Sequence, residues 1–302
     1  MPEITRRRTG ELLRKLFQIL LQHPDGMQAR DALDALQSSI QMTDYERGTY
    51  ASGSKRIEKI VRFATIDCVK AGWMLKHKGR WSITEEGQQA FTHLPDPEIF
   101  YRRAIKLYQE WRATQPVDDV SLTNGEEPGS EVVDEEKETR ITFEEAEEQA
   151  WSEIEGYLRS MSPYDFQELV ASLLRAMGYH ISWISPPGKD GGIDILAWTD
   201  PLGTRPPRIK VQVKRLSNQN VTVEGLRSFM ALLGDGDVGL FVTTSGFTKD
   251  AQEAARTQES RKVTLIDLER LFDLWVEYYP KLDDNARRRF PLQPIYFLAP
   301  TT

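Results

Sequence analysis

The sequence predicts two domains of different class: a small, mostly helical N-terminal domain closed by a β-hairpin, and a larger α/β (α+β) domain. Three observations carry this expectation. Apolar residues recur at helical spacing from Leu12 to Ala71 and then give way to two short β runs. The stretch from Ala113 to about Arg140 is rich in Asn, Gly, Pro, Ser and acids and poor in large apolar groups, so it cannot bury enough surface to fold and reads as a linker. Beyond it, helical stripes alternate with strands, the pattern of a sheet flanked by helices. The expected organisation is a domain over 1–112, an acidic linker over 113–140 and a second domain over 141–302, about two domains for 302 residues.

Each N-terminal element has its own signal. Leu12, Leu13, Leu16, Phe17 and Leu20 stripe a first helix, Met27 to Leu36 suggests a short second one, and a third runs from about Lys55 to Ala71. The third buries Ile57, Ile60, Val61, Ala64, Cys68 and Ala71; at about 100° per residue, Lys55, Lys59, Arg62 and Lys70 fall on the opposite face. Trp73 to His77 and Arg80 to Ile83 flank Lys78-Gly79, a hairpin with a basic tip, and Thr84 caps the next helix. A basic third helix beside a basic hairpin is the winged-helix arrangement. It suits phosphate contact in a DNA groove through Lys55, Lys59, Arg62, Lys70, Lys78 and Arg80.

The charge distribution agrees. The net charge is −7, but residues 1–116 hold 19 Lys/Arg and 14 Asp/Glu, residues 117–150 hold 2 and 13, and residues 151–302 hold 18 and 19. One acidic block masks a basic N-terminal domain, a hint of nucleic-acid contact. Other classes find no support. Cys68 is the single cysteine, so an internal disulfide is impossible and a reducing, cytoplasmic setting fits. His23, His77, His93 and His180 are scattered, without zinc spacing. No apolar run approaches the roughly 18 residues of a membrane span, and Arg6, Arg7 and Arg8 lead into an amphipathic helix rather than a secretion signal. No membrane partner is expected.

The second domain opens at Thr142-Phe143-Glu144-Glu145, a capping-box pattern, with Ala146, Ala150, Ile154, Tyr157 and Leu158 as the apolar face of the helix it starts. Phe166, Leu169, Val170, Leu173, Leu174 and Met177 stripe the next helix, stopped by Gly178. Strands follow at Tyr179 to Ile184, Ile193 to Trp198 and Ile209 to Lys214, the first two separated by the turn Pro186 to Gly192. A helix from Val221 to Leu233, a buried strand from Val238 to Thr244, a helix from Thr248 to Arg256 and a strand from Val263 to Ile266 complete the unit. Trp183 and Trp198 are expected in the core rather than as base-stacking residues, and Asp190 is expected to shape its turn.

The strand from Ile209 to Lys214 alternates strictly, so Lys210, Gln212 and Lys214 share one face. Asp194, on the preceding strand, is placed to converge with Gln212 and Lys214. Phosphodiester hydrolysis needs such a spot. Magnesium held by oxygen ligands from Asp194 and Gln212, with the Val213 carbonyl as a further candidate, lowers the pKa of a bound water. Lys214 then orients the nucleophile or stabilises charge on the phosphate. Lys210 is expected to be solvated or to face phosphate.

Four stretches resemble the Mrr family of restriction endonucleases, within the PD-(D/E)XK nuclease superfamily: Phe166-Gln167-Glu168-Leu169-Val170 with Met177-Gly178-Tyr179; Gly188 to Asp194; Val211-Gln212-Val213-Lys214; and Val242-Thr243-Thr244-Ser245-Gly246-Phe247-Thr248. The resemblance implies a restriction-endonuclease-like fold, with Asp194 as metal ligand, Lys214 as catalytic lysine and Gln212 in the place of the superfamily's second acid. It further implies a role in antiviral defence and a preference for methylated double-stranded DNA. Cutting both strands needs two active sites and so a dimer at least on DNA. The alternatives are a DNA-binding regulator with an inactive nuclease domain, or a repair or junction nuclease on the same fold.

One position departs from the family. The residue after Phe166, often an acid there, is Gln167, and the acid Glu168 follows it. With Phe166 at 0° and steps of about 100°, the apolar stripe centres near 20°, Gln167 lies at about 100° and Glu168 at about 200°. Gln167 is therefore expected to line the site and orient a metal-bound water, and Glu168 to be a surface charge.

Overall fold

The structure, a computed structural model, describes residues 4–50, 53–114, 130–186, 188, 191–216, 219–258 and 261–297, and the side chains of all these except 112 and 130–139. It divides into two compact units, Met1–Ser152 and Glu153–Ile295, the first also taking in the chain end from Tyr296. Among the described residues no helix is long and apolar enough to cross a membrane.

In the first unit, α1 (Arg6–Leu20) starts where the Thr5 side chain accepts a hydrogen bond from the Arg8 N–H. It buries Leu12, Leu13, Leu16, Phe17 and Leu20. The helix expected from Met27 instead begins at Ala29: Met27–Gln28 is a short strand, β1, paired with Trp81 and Arg80, and α2 spans Ala29–Ser39. Pairing with the hairpin extends those two residues before the helical period takes hold. The third helix, α3 (Arg56–Lys70), buries Ile57, Val61, Ala64 and Cys68 as expected. The hairpin of β2 (Met74–His77) and β3 (Arg80–Ile83) closes through Lys78 and Gly79, whose φ values of 47° and 73° are those of a type I′ turn. Thr84 caps α4 (Glu85–His93).

The sequence reading did not include α5 (Pro97–Ala113), which completes this core. Phe100 packs edge-on to Phe17 at 5.1 Å and lies 4.9 Å from Trp73. A Cβ at Gly10 would stand 1.9 Å from the Pro97 carbonyl oxygen, so α1 and α5 meet where only glycine fits.

The next helix, α6 (Ser130–Ser160), corrects a second expectation: it begins twelve residues before the capping box, and Thr142 is interior. Glu and Lys propagate helices well, and acids near a helix N-terminus favour its dipole, so the local capping signal did not mark the start. Its inward face is also different. Ala150 and Tyr157 are exposed, whereas Ile141, Trp151 and Leu158 are buried.

The second unit is a mixed five-stranded sheet between helical layers. Ser162 caps α7 (Pro163–Ala176), followed by β4 (His180–Ile184), β5 (Ile195–Trp198) and β6 (Arg208–Lys214). Then come α8 (Val223–Met230), β7 (Asp237–Thr243), α9 (Lys249–Thr257), β8 (Val263–Ile266), α10 (Leu268–Tyr278) and α11 (Asp284–Arg289). The sheet runs β4-β5-β6-β7-β8, antiparallel through β6 and parallel from β6 to β8. On one side, Phe166, Leu169, Val170 and Leu173 of α7 and Leu271 and Trp275 of α10 pack on Ile195, Ile209, Val211 and Val242. On the other, Leu226 and Phe229 of α8 and Ala251 of α9 pack on Phe241. Trp183 is not a core residue. It lies 41% exposed on the edge strand β4, beside a register irregularity that turns it outward.

Candidate active site and basic surface

The period-two alternation of β6 puts Ile209, Val211 and Val213 against the α7 layer, leaving Lys210, Gln212 and Lys214 for the other face. The Lys214 Nζ accordingly lies 5.7 Å from the Phe241 ring centroid, on the α8 side. Lys210 is not free for phosphate: its Nζ pairs with Asp237 Oδ2 at 2.8 Å and donates to the Leu232 carbonyl at 2.6 Å. Arg208 holds the same carboxylate at 2.9 and 3.0 Å. Burial alone would raise the Asp237 pKa, but these cations outweigh it and bring it down to about 2.

Asp194 lies one residue before β5 and is gripped by β6 on both sides of Gln212. Its N–H donates to the Val211 carbonyl at 2.8 Å, and its Oδ2 accepts the Val213 N–H at 2.7 Å. Only 5% of Asp194 is exposed. The Gln212 Oε1 is buried and accepts no hydrogen bond, a state that costs free energy in the absence of a ligand. Among the described residues no three His, Cys, Asp or Glu side chains are grouped so that they could hold a metal ion. The donor set is thus one carboxylate and one amide oxygen, hard ligands of the kind that suit a divalent cation, and the orphaned Gln212 oxygen fits one. Gly192, at φ 82°, brings the preceding turn close: a Cβ there would sit 3.6 Å from Gln212 Nε2. Asp190 lies outside the described residues.

Gln167 and Glu168 part as the helical phase requires. Gln167 is buried, and its Nε2 donates to the Ser185 carbonyl at 3.0 Å and the Asp194 carbonyl at 3.4 Å. It holds the backbone that carries Asp194. The Glu168 side chain is 37% exposed and lies 3.7 Å from Arg175.

The basic residues expected to meet DNA are engaged within the first unit. Lys55 pairs with Glu58 at 2.7 Å, the Lys59 Nζ is 5.0 Å from the Tyr50 ring, and the Lys70 Nζ is 3.6 Å from the Trp111 ring. Arg80 donates to the Gly26 carbonyl at 3.0 Å, and the Lys78 Nζ lies 5.4 Å from the Trp151 ring. Arg62 departs most from the solvated face expected of it: it is 5% exposed and holds Glu148 bidentately at 2.8 and 2.7 Å. Burial disfavours its cation, yet the Glu148 hydrogen bonds prevail and raise its pKa. Sequence reasoning missed Lys76, whose Nζ pairs with Glu144 at 2.6 Å; there burial wins and the pKa is lowered. The overlooked signal is the spacing of Ile141, Glu144, Glu148 and Trp151, one helical stripe with acids at its centre.

Comparison with known proteins agrees with this architecture. Residues 158–275 match the family described as restriction endonuclease, Mrr_cat. That match makes this domain one of the DNA-cleaving restriction-endonuclease class, a hydrolase. Residues 11–93 match the Mrr N-terminal domain. The type IV methyl-directed restriction enzyme EcoKMrr of Escherichia coli (strain K12) is 26% identical over 284 residues, covering 88% of this chain and 91% of that protein. The chain thus carries an Mrr_cat restriction-endonuclease domain and an Mrr N-terminal domain, and is similar to the E. coli enzyme over most of its length. The MspJI restriction endonuclease in complex with a 27-mer oligonucleotide overlaps loosely, with a TM-score of 0.33 and 19% identity over 65% of this chain and 44% of that one.

Proposed function

We propose that this protein is a magnesium-dependent endonuclease that hydrolyses phosphodiester bonds in methylated double-stranded DNA. It would act in the cytoplasm in defence against foreign DNA, and as a dimer when both strands are cut. The observation that carries the reading is Asp194, fixed by the Val211 carbonyl and the Val213 N–H on either side of the unpartnered Gln212 oxygen. Asp194 and Gln212 would hold the cation. Bound there, it would supply positive charge for the phosphate and acidify a water. The Lys214 ammonium, on the same face of β6, would steady charge developing on phosphate oxygens as the new P–O bond forms and the old one breaks. The methyl preference extends to this chain what the related E. coli enzyme is named for. The winged-helix reading of the first unit gives it a second hold on DNA, through α3 and the hairpin.

The test is incubation of the full chain with methylated and unmethylated copies of one plasmid, with and without magnesium. Metal-dependent cutting of the methylated copy supports the proposal. Equal cutting of both copies removes the methyl preference, and no cutting of either with any divalent cation removes the activity.

A further inference from the structure

Part of the surface expected to meet DNA, at Arg62 and the hairpin, is covered by acids of the same unit. Ile141, Glu144, Glu148 and Trp151 recur along α6 at steps of three and four, so they share one helical stripe. Its ends, Ile141 and Trp151, are 5% and 8% exposed, and the Glu144 and Glu148 side chains between them are each 16% exposed. Glu148 takes Arg62 of α3 in a two-pronged pair, Glu145 approaches the same guanidinium at 3.5 Å, and Glu144 takes Lys76 of the hairpin. At the hairpin tip, a Cβ on Gly79 would stand 2.6 Å from Glu148 Cγ. Carboxylates thus meet the Arg62 guanidinium in a two-pronged fork and the Lys76 ammonium as a point charge, two ways in which phosphates are also held. We propose that Ile141–Trp151 of α6 is an intramolecular gate: it occupies the basic surface of Arg62, Lys76 and the hairpin, and duplex DNA must displace it to bind there.

The inference rests on the proposed DNA-binding role of the first unit. A tethered competitor acts at an effective concentration of about millimolar. Apparent DNA affinity is the intrinsic affinity multiplied by the fraction of molecules with the gate open. The pairs also leave a salt signature. Cations already neutralised by glutamate exchange one anionic partner for another when DNA arrives, so they contribute little to the net salt slope. Freed of glutamate, each contributes about one unit.

The experiment compares the full chain with its Glu144→Gln/Glu145→Gln/Glu148→Gln variant, by titration of a fluorescent duplex in chelator, which prevents cutting, across a range of salt. The expected result is about tenfold tighter binding by the variant at physiological salt, within the usual range of coupling between sites, and a slope of log K on log salt steeper by about two. Equal affinities and equal slopes overturn the gate and leave the DNA reading standing. If neither protein binds at low salt, the DNA reading fails and takes the gate with it. Hydrogen exchange on the unaltered chain gives an answer even where the variant folds poorly. Saturating duplex should deprotect amides of Ile141–Trp151, and unchanged or increased protection there refutes displacement.

Discussion

Replacing Asp194 with Asn and with Ala separates what the carboxylate does for the fold from what it does for the chemistry. The residue is buried, and its Oδ2 is the acceptor for the Val213 N–H at 2.7 Å. Alanine leaves that N–H without its partner, a loss of about 1–3 kcal/mol. At roughly 2–4 °C per kcal/mol for a domain of this size, melting should fall by several degrees. Asparagine keeps an oxygen at the same place and exchanges a charge-assisted hydrogen bond for a neutral one, so its melting point should lie close to that of the unaltered protein. Cleavage runs differently. Both variants lose the one anionic ligand of the proposed site and should cut at least about 100-fold more slowly, the upper end of what lesser disturbances to metal sites cost. Conversion of supercoiled plasmid to nicked and linear forms, with magnesium titrated, measures the second effect, and thermal denaturation followed by circular dichroism measures the first. Cutting by the asparagine variant within tenfold of the parent refutes the ligand role. Equal melting points for the two variants refute the structural role of the Val213 bond.

Lys214→Met should lower single-turnover cleavage by about 100- to 1000-fold with little change in melting; near-parental cutting would remove Lys214 from the site. Gln167→Ala should reduce cleavage strongly through the loosened Ser185–Asp194 backbone, while Glu168→Ala stays within a few-fold; the reverse order in plasmid assays would overturn the helical-phase argument. The depressed pKa of Asp237 implies stability that is full above its unfolded value of about 3.9 and is lost as pH falls toward about 2. Asp237→Asn should therefore flatten the fall of the urea midpoint across that window, and parallel curves for parent and variant would contradict the ion cluster.

Legibility in the sequence follows from how local the determining forces are. The alternation from Ile209 to Lys214 set one face of β6 without reference to the rest of the chain, and Gln212 and Lys214 lie on it. The apolar stripe of α7 likewise separated the buried Gln167, at its edge, from the half-buried Glu168. Arg62 was not legible in the same way. Its face of α3 is polar in the sequence, and whether such a face meets water or another element depends on residues some eighty positions later, here Glu148. Lys210 was misjudged for a similar reason, since its partner Asp237 belongs to the strand alongside. Trp183 was misjudged because hydrophobicity does not reveal which strand ends a sheet. The early start of α6 shows graded helix propensity overriding a single capping signature.

The hairpin tip sets two demands against each other at one residue. Lys78 is, among the described residues, the non-glycine with a positive φ, a conformation that costs a side chain with a Cβ on the order of 1–2 kcal/mol. Asparagine adopts it more readily, so Lys78→Asn would firm the turn. The same change would delete the ammonium that faces Trp151 at the end of the acidic stripe. A stiffer hairpin and a looser grip on α6 would then arrive together. Firmness of the turn and freedom of α6 would rise in step, with one hairpin cation fewer for the duplex, whereas elsewhere in the unit, at Arg62 or Lys76, loosening the same contact means leaving a buried charge without its partner.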